Sequence, residues 1–219
     1  MRMALTLAAA VWLAPEAKAQ CVQSGNDVQC TGTDPDGFES IINGITLTVQ
    51  PDATVQNDGT DPSISLESAS QVTVEAGGAV TSIGDSTQSI RGGSDNSLTN
   101  RGSIISSGAQ TTGVALGPGS ELLNETTGRI LTSPGLTGGS SVGVQVGSSG
   151  SLTNEGLIQP AGDGAVAVVA LSSGTVVNTG TIVVHDANGK GVILGSGSSL
   201  DNSGTLTATG MDAVGVRFD

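Results

Sequence analysis

The chain of 219 residues is poor in aromatic side chains, with one Trp, two Phe and no Tyr. A core must therefore be built from Val, Ile, Leu and Ala, and the aromatic platforms on which sugar-cleaving enzymes generally hold their substrates are missing. Basic residues are scarce as well, 7 Lys and Arg against 20 Asp and Glu. That balance argues against nucleic acid and against anionic lipid as partners, and leaves divalent cations open. Apolar stretches with the i, i+3, i+4 spacing of a helix are absent after the first residues. The longest apolar run, ALTLAAAVWLA, is too short for a permanent membrane anchor.

That run follows Arg2 and leads to Ala17-Lys18-Ala19, the pattern of an export signal over residues 1–19 with cleavage before Gln20. Bulky Gln20 before Cys21 disfavours a lipoprotein signal. Export removes Trp12, Arg2, Lys18 and Glu16, leaving 5 of the 7 basic and 19 of the 20 acidic residues, net −14 instead of −13. The only cysteines, Cys21 and Cys30, then sit at the start of the mature chain, and an oxidising compartment favours a local disulfide between them. Their spacing is not that of a CxxC redox or zinc site.

What the chain has in abundance is glycine, 34 residues, together with Ser and Thr. Low complexity alone predicts disorder, yet three aliphatic columns, the first accompanied by a column of Asn, run through it at one period. Asn100, Asn124, Asn154, Asn178 and Asn202 are separated by 24, 30, 24 and 24 residues, and Leu98, Leu122, Leu152, Val176 and Leu200 keep the same steps. A second aliphatic column runs Leu66, Ile90, Val114, Val144, Val168, Val192, Val216, and a third Val80, Ile104, Ile130, Ile158, Ile182, Leu206. The one long interval is accounted for by two extra residues in NETTGRI and four around SPGLTGGSS, turn-like segments able to bulge outward. Fixed-period columns with local alternation of two and Gly/Ser/Asn/Asp turns predict a solenoid of short strands.

The expected fold is all-β, a right-handed parallel β-helix of about 24 residues per rung, handedness following the crossover rule. Aliphatics of one column pile up into a core that no single rung forms alone. Asn at the corner tolerates left-handed backbone angles and its amide bonds to the Asn above and below, while Gly two residues later (Gly102, Gly156, Gly180, Gly204) permits the tight corner. Residues 20–60 are expected to form an N-terminal cap with the disulfide and the first rung, and 61–219 the helix, about seven rungs and about 35 Å long. The chain stops at Asp219 just as Ala213–Val216 begin another rung, so a product truncated at the C-terminus is expected.

An export signal, a paired-Cys leader with CTGTDPDGF, and repeats of the type LTVEAGGAV and SLTNEGLI resemble the passenger region of bacterial autotransporters (type V secretion) over essentially the whole chain. The resemblance implies a Gram-negative host, passage of the outer membrane, and an adhesin-like β-helix displayed at the cell surface or held at the outer membrane. It also implies two partners: a translocator barrel, which this chain lacks, and a host-cell or surface glycan or protein receptor.

The rival class is a β-helical polysaccharide lyase or hydrolase. A uronate lyase needs clustered cations, but Arg91, Arg101, Arg129, Lys190 and Arg217 fall in different columns by sequence spacing. His185 lacks a GxSxG nucleophile turn to serve, so no catalytic residue and no cofactor is assigned. Asp163, Asp186 and Asp212 lie in Gly-rich turns before three successive strands and form a weak calcium candidate. Glu125 lies one rung above Arg101, with Glu155 following, as in a surface ion pair.

Overall fold

A computed structural model describes residues 20–134 and 139–219. The export signal expected over 1–19 lies outside the described residues, as does part of the SPGLTGGSS bulge. Among the described residues there is no helix. The chain coils through three sheets in turn, each parallel through eight successive turns, with one antiparallel strand added to the edge of the first. At about 4.8 Å per turn the stack is about 34 Å tall.

The eighth turn, one more than the columns foretold, lies in the leader. The strand β1 (Cys21–Ser24) folds back antiparallel on β2 (Asp27–Cys30). Then β2, β3 (Thr33–Asp34) and β4 (Phe38–Ser40) supply one strand to each sheet. This turn has no aliphatic signature because its buried side chains include Cys30, Asp34 and Ser40 beside Val28. Asp34 is held by the N–H groups of Cys21 (2.7 Å) and Asp36 (3.2 Å). A disulfide joins Cys21 to Cys30 and clasps β1 over the stack's first edge, covering backbone groups that would otherwise template further pairing.

The pairing register puts the expected columns in line with one exception: Leu66 pairs with Gly92, and Ile64 takes the place expected for it beneath Ile90. Leu98, Leu122, Leu152, Val176 and Leu200 are successive partners in the first sheet, and Ile90, Val114, Val144, Val168, Val192 and Val216 in the third. The core they form is continuous. It is not purely aliphatic. Ser82, Ser89 and Ser106 are fully buried, with Ser82 hydrogen-bonded to each of the other two, and Thr132 donates to Ser141 at 2.7 Å. In five of the eight strands of the third sheet two consecutive residues are buried, the first of them small: Ser89, Gly113, Gly143, Ala167 and Gly191. A Cβ on Gly113 would sit 2.6 Å from the Gly143 carbonyl oxygen, so the doubled position is confined to glycine, alanine and serine.

The corner from the first to the second sheet holds the asparagine ladder. Asn100, Asn124, Asn154 and Asn178 are fully buried, and each Nδ2 donates to the Oδ1 of the next Asn, at 2.8, 2.7, 2.7 and 2.6 Å up to Asn202. Their backbones, and those of the glycines two residues on, do not have positive φ. The glycines are needed for another reason: a Cβ on Gly156 or Gly204 would lie 2.3 Å from the carbonyl oxygen of the glycine one turn below. At this corner left-handed backbone is confined to the turns before the ladder, at Gly32, Asp52 and Gly77, and it recurs at the other two corners. Ala69, Asp95, Ser149 and Ser173 have φ of 57–59°, and each N–H donates to a carbonyl of the next turn. Ser86, Gln110, Gly164, Asn188 and Asp212 form a second such column. Non-glycine residues are held there because the inter-turn hydrogen bond offsets the strain.

Asn124→Ala removes a ladder rung with neighbours on both sides and is expected to lower stability by about 2–4 kcal/mol, about 1–3 for each polar group left unpaired. Asn202→Ala, at the exposed end, should change it by less than about 1 kcal/mol; urea midpoints of the two variants check the contrast. Replacing Cys21 and Cys30 together by Ala is expected to cost at most about 3 kcal/mol. Hydrogen exchange should show the loss confined to Cys21–Val49, with the amides of Val176–Val184 still protected.

Candidate functional site

The residues singled out from sequence are mostly engaged with the neighbouring turn. Arg101 lies between two carboxylates, with Nη2 2.9 Å from Glu125 and Nη1 3.3 Å from Glu75. The hydrogen bond that Arg101 donates to Glu125, then the charge of Glu125, and the weaker pull of Glu75 raise the Arg101 pKa above its ordinary value. A raised arginine stays charged at every pH below that range, so this ion stack introduces no pH dependence near neutrality. Exposed on the surface, it joins three turns and forms no cleft.

His185 is exposed, and its Nδ1 is 2.9 Å from Thr209 Oγ1 in the next turn. The three aspartates of the calcium candidate share a corner and differ in register, and the structure does not gather them. Asp212 occupies the left-handed position it shares with Gly164 and Asn188; Asp163 stands one residue before that position and Asp186 two before. Asp163 Oδ1 accepts from Asn188 Nδ2 at 2.8 Å, and Asp186 Oδ2 accepts from the Gly162 N–H at 2.7 Å. Among the described residues no group of three or more His, Cys, Asp or Glu is placed to hold a metal ion.

The expected scatter of the basic residues needs one correction. Pairing through Ala115, Gln145, Val169 and Ile193 puts Arg91 and Arg217 on the same outward column of the third sheet. Five turns, about 24 Å, still separate them, so they do not converge.

A single wider and more open depression, about 340 Å³, lies beside Arg129 and Glu155, whereas several depressions meet at Arg91. That arginine is exposed, makes no ion pair among the described residues, and borders three adjoining depressions. The first, about 180 Å³, is walled by Asp36, Phe38, Asn57, Asp61 and Pro62 from the first two turns. Beside it a second, about 220 Å³, is bounded by Glu39, Glu67 and the backbone of Gly92 and Gly93. The third, about 170 Å³, lies one turn further along, beside Gln88, Ala115, Leu116 and Gln145. Sequence reasoning named Arg91 but missed the others, because the spacing from Glu39 through Ser65 to Arg91 is 26 and 26 residues and escapes a search at 24. Only the register of the first turn discloses them.

With this geometry in place, the chain was compared with known families. The sequence model of the BigA third pectate lyase-like domain matches residues 28–205. The chain belongs to that family. Membership and the eight-turn solenoid together fit an adhesin-like β-helical domain. The matched stretch runs from β2 of the first turn into the second-sheet strand of the last (Thr205–Ala208). No curated protein and no solved structure matches the chain.

Calcium titration is expected to leave the melting temperature of the purified chain unchanged, since the corner carboxylates are spent on Asn188 and on a backbone N–H. A rise in millimolar calcium would show that the corner regroups around the ion.

Proposed function

We propose that the chain is an exported, surface-displayed structural or adhesive module, the β-helical passenger of an autotransporter, and that it has no catalytic activity. The observation that carries this reading is the distribution of its polar chemistry. Many of its polar side chains are tied to the turn above or below, as in the asparagine ladder, the Glu75–Arg101–Glu125 stack and the Asp163–Asn188 pair, and no cluster of catalytic type is assembled among the described residues. Membership in the BigA third-domain family supports the same reading. The physical contribution of such a module is a stiff rod: each turn is fixed to two neighbours by three sheets and one ladder, and it presents a long polar surface away from the cell. In this proposal an outer-membrane barrel supplied outside this chain translocates it, and a host-cell or surface glycan or protein is its receptor.

The enzyme reading keeps one favourable observation, the carboxylates Asp36, Glu39 and Asp61 around Arg91. A single guanidinium among three carboxylates is the wrong charge balance for a polyuronate.

Two measurements separate the classes. Fused ahead of an outer-membrane barrel, the chain should be displayed, become accessible to external protease, and increase adhesion of the displaying cells to host cells. The purified chain should release no reducing ends from neutral polysaccharides and no unsaturated uronate from polygalacturonate. Turnover abolished by Asp61→Asn or Arg91→Ala would refute the non-enzymatic reading; display without adhesion would remove the adhesive one.

A further inference from the structure

The outward face of the third sheet has an order in its first five turns that the rest of the rod lacks. Glu39, Ser65, Arg91, Ala115 and Gln145 are successive pairing partners on one column. Long polar side chains therefore alternate with short ones along the axis. Beyond Gln145 the column is aliphatic at Val169 and Ile193 and ends at Arg217, with no alternation of long polar and short residues. Each short residue leaves a notch between two prongs that stand two strand spacings apart, about 10 Å. The depressions lie at these notches, and Arg91 is the prong they share.

We propose that this face is a glycan-binding groove, which takes a neutral, hydroxyl-rich sugar chain lying along the solenoid axis with Arg91 between successive sugar units. Two strand spacings are close to the length of an extended disaccharide, so the prong spacing suits a linear chain. Individual depressions of 170–220 Å³ are smaller than the roughly 300–1,000 Å³ of sites that engulf a whole small molecule. They suit single residues of a polymer instead. The guanidinium of Arg91 donates to ring and hydroxyl oxygens, the carboxylates of Asp36, Glu39 and Asp61 accept from sugar hydroxyls, and half-buried Phe38 offers an apolar wall to a C–H face.

Charge selects the class of glycan. Asp36, Glu39, Asp61 and Glu67 outnumber Arg91, so uronates and sulfated chains are repelled, while Arg91 at the centre disfavours a cationic peptide. A peptide adding here as an extra strand could reach only the edge strand β4 and would leave the Arg91 notches unused, because the strands from the second to the fifth turn are paired on both sides. With one aromatic wall and no stacking platform, binding is held by hydrogen bonds and is weak, with dissociation constants near the millimolar level. The proposal supplies a partner class for the adhesive module and rests on that reading for its biological use.

The test is isothermal titration of the purified chain with cellotetraose, chitotetraose and mannotetraose, with tetragalacturonate and hexalysine as charged controls. At least one neutral tetrasaccharide should bind saturably, and Arg91→Ala and Ser65→Tyr, which removes the prong and fills the notch, should each weaken it at least tenfold with an unchanged melting temperature. Absence of binding by all three, undiminished binding in both variants, or tighter binding of either charged control would overturn the proposal. Because the measurement uses no cells, failure here with adhesion intact removes the groove alone, and glycan binding without adhesion removes the adhesive role alone.

Discussion

Parallel pairing at a fixed spacing of about 4.8 Å places every residue directly over its counterpart one turn away, and the rest of the molecule follows from that constraint. An apolar residue repeated in register becomes part of a dry interior. A polar residue repeated in register must bond to its own kind, and the side-chain amide of Asn, donor and acceptor at once, does so without limit of length. Extra residues have only one direction to go. The six additional residues between Asn124 and Asn154 leave both columns in register, since Leu122 still pairs with Leu152 and Val114 with Val144. The same constraint explains how a chain with two phenylalanines and 34 glycines forms a core: small and branched residues suffice when each is packed from above and below.

The parts of the fold legible in the sequence are those in which chemistry repeats at the period. Aliphatic columns and the asparagine ladder announce themselves because the same side-chain type is needed at every turn. The left-handed corners were not legible, because Ala69, Asp95, Ser149 and Ser173 share a backbone conformation and no side-chain type. Likewise the need for Gly102, Gly156, Gly180 and Gly204 looked like backbone freedom and proved to be close approach to the carbonyl below. The first turn was hidden for a third reason. Its buried positions include Cys30, Asp34 and Ser40, and its spacing departs from 24.

For the candidate site the limit was register. Glu39, Phe38, Asp61 and Arg91 are far apart in the chain and belong to three turns. Spacing rules tuned to the regular turns could not bring them together, and they misplaced Arg91 relative to Arg217. The regular turns, by contrast, leave little surface relief, because a column of like residues makes a smooth face. Relief arises where the chain bulges, as beside Thr126–Arg129, and on the third sheet where a column alternates between long and short side chains, near the cysteine-clasped end. Membership in the BigA third-domain family and an outer surface with one such alternating column fit a rod whose contact chemistry is local while its stiffness is distributed.

The central claim is that whole turns are interchangeable units and fractions of a turn are not. Removing residues 155–178, one full turn between Asn154 and its partner Asn178, joins Asn154 to Thr179 and keeps every column in register. Removing residues 155–166 takes out half a turn and throws all later columns out. Thermal unfolding followed by circular dichroism should show a cooperative, strand-rich transition for the first deletion and none for the second. Equal behaviour of the two deletions, whether both fold or both fail, would contradict the account.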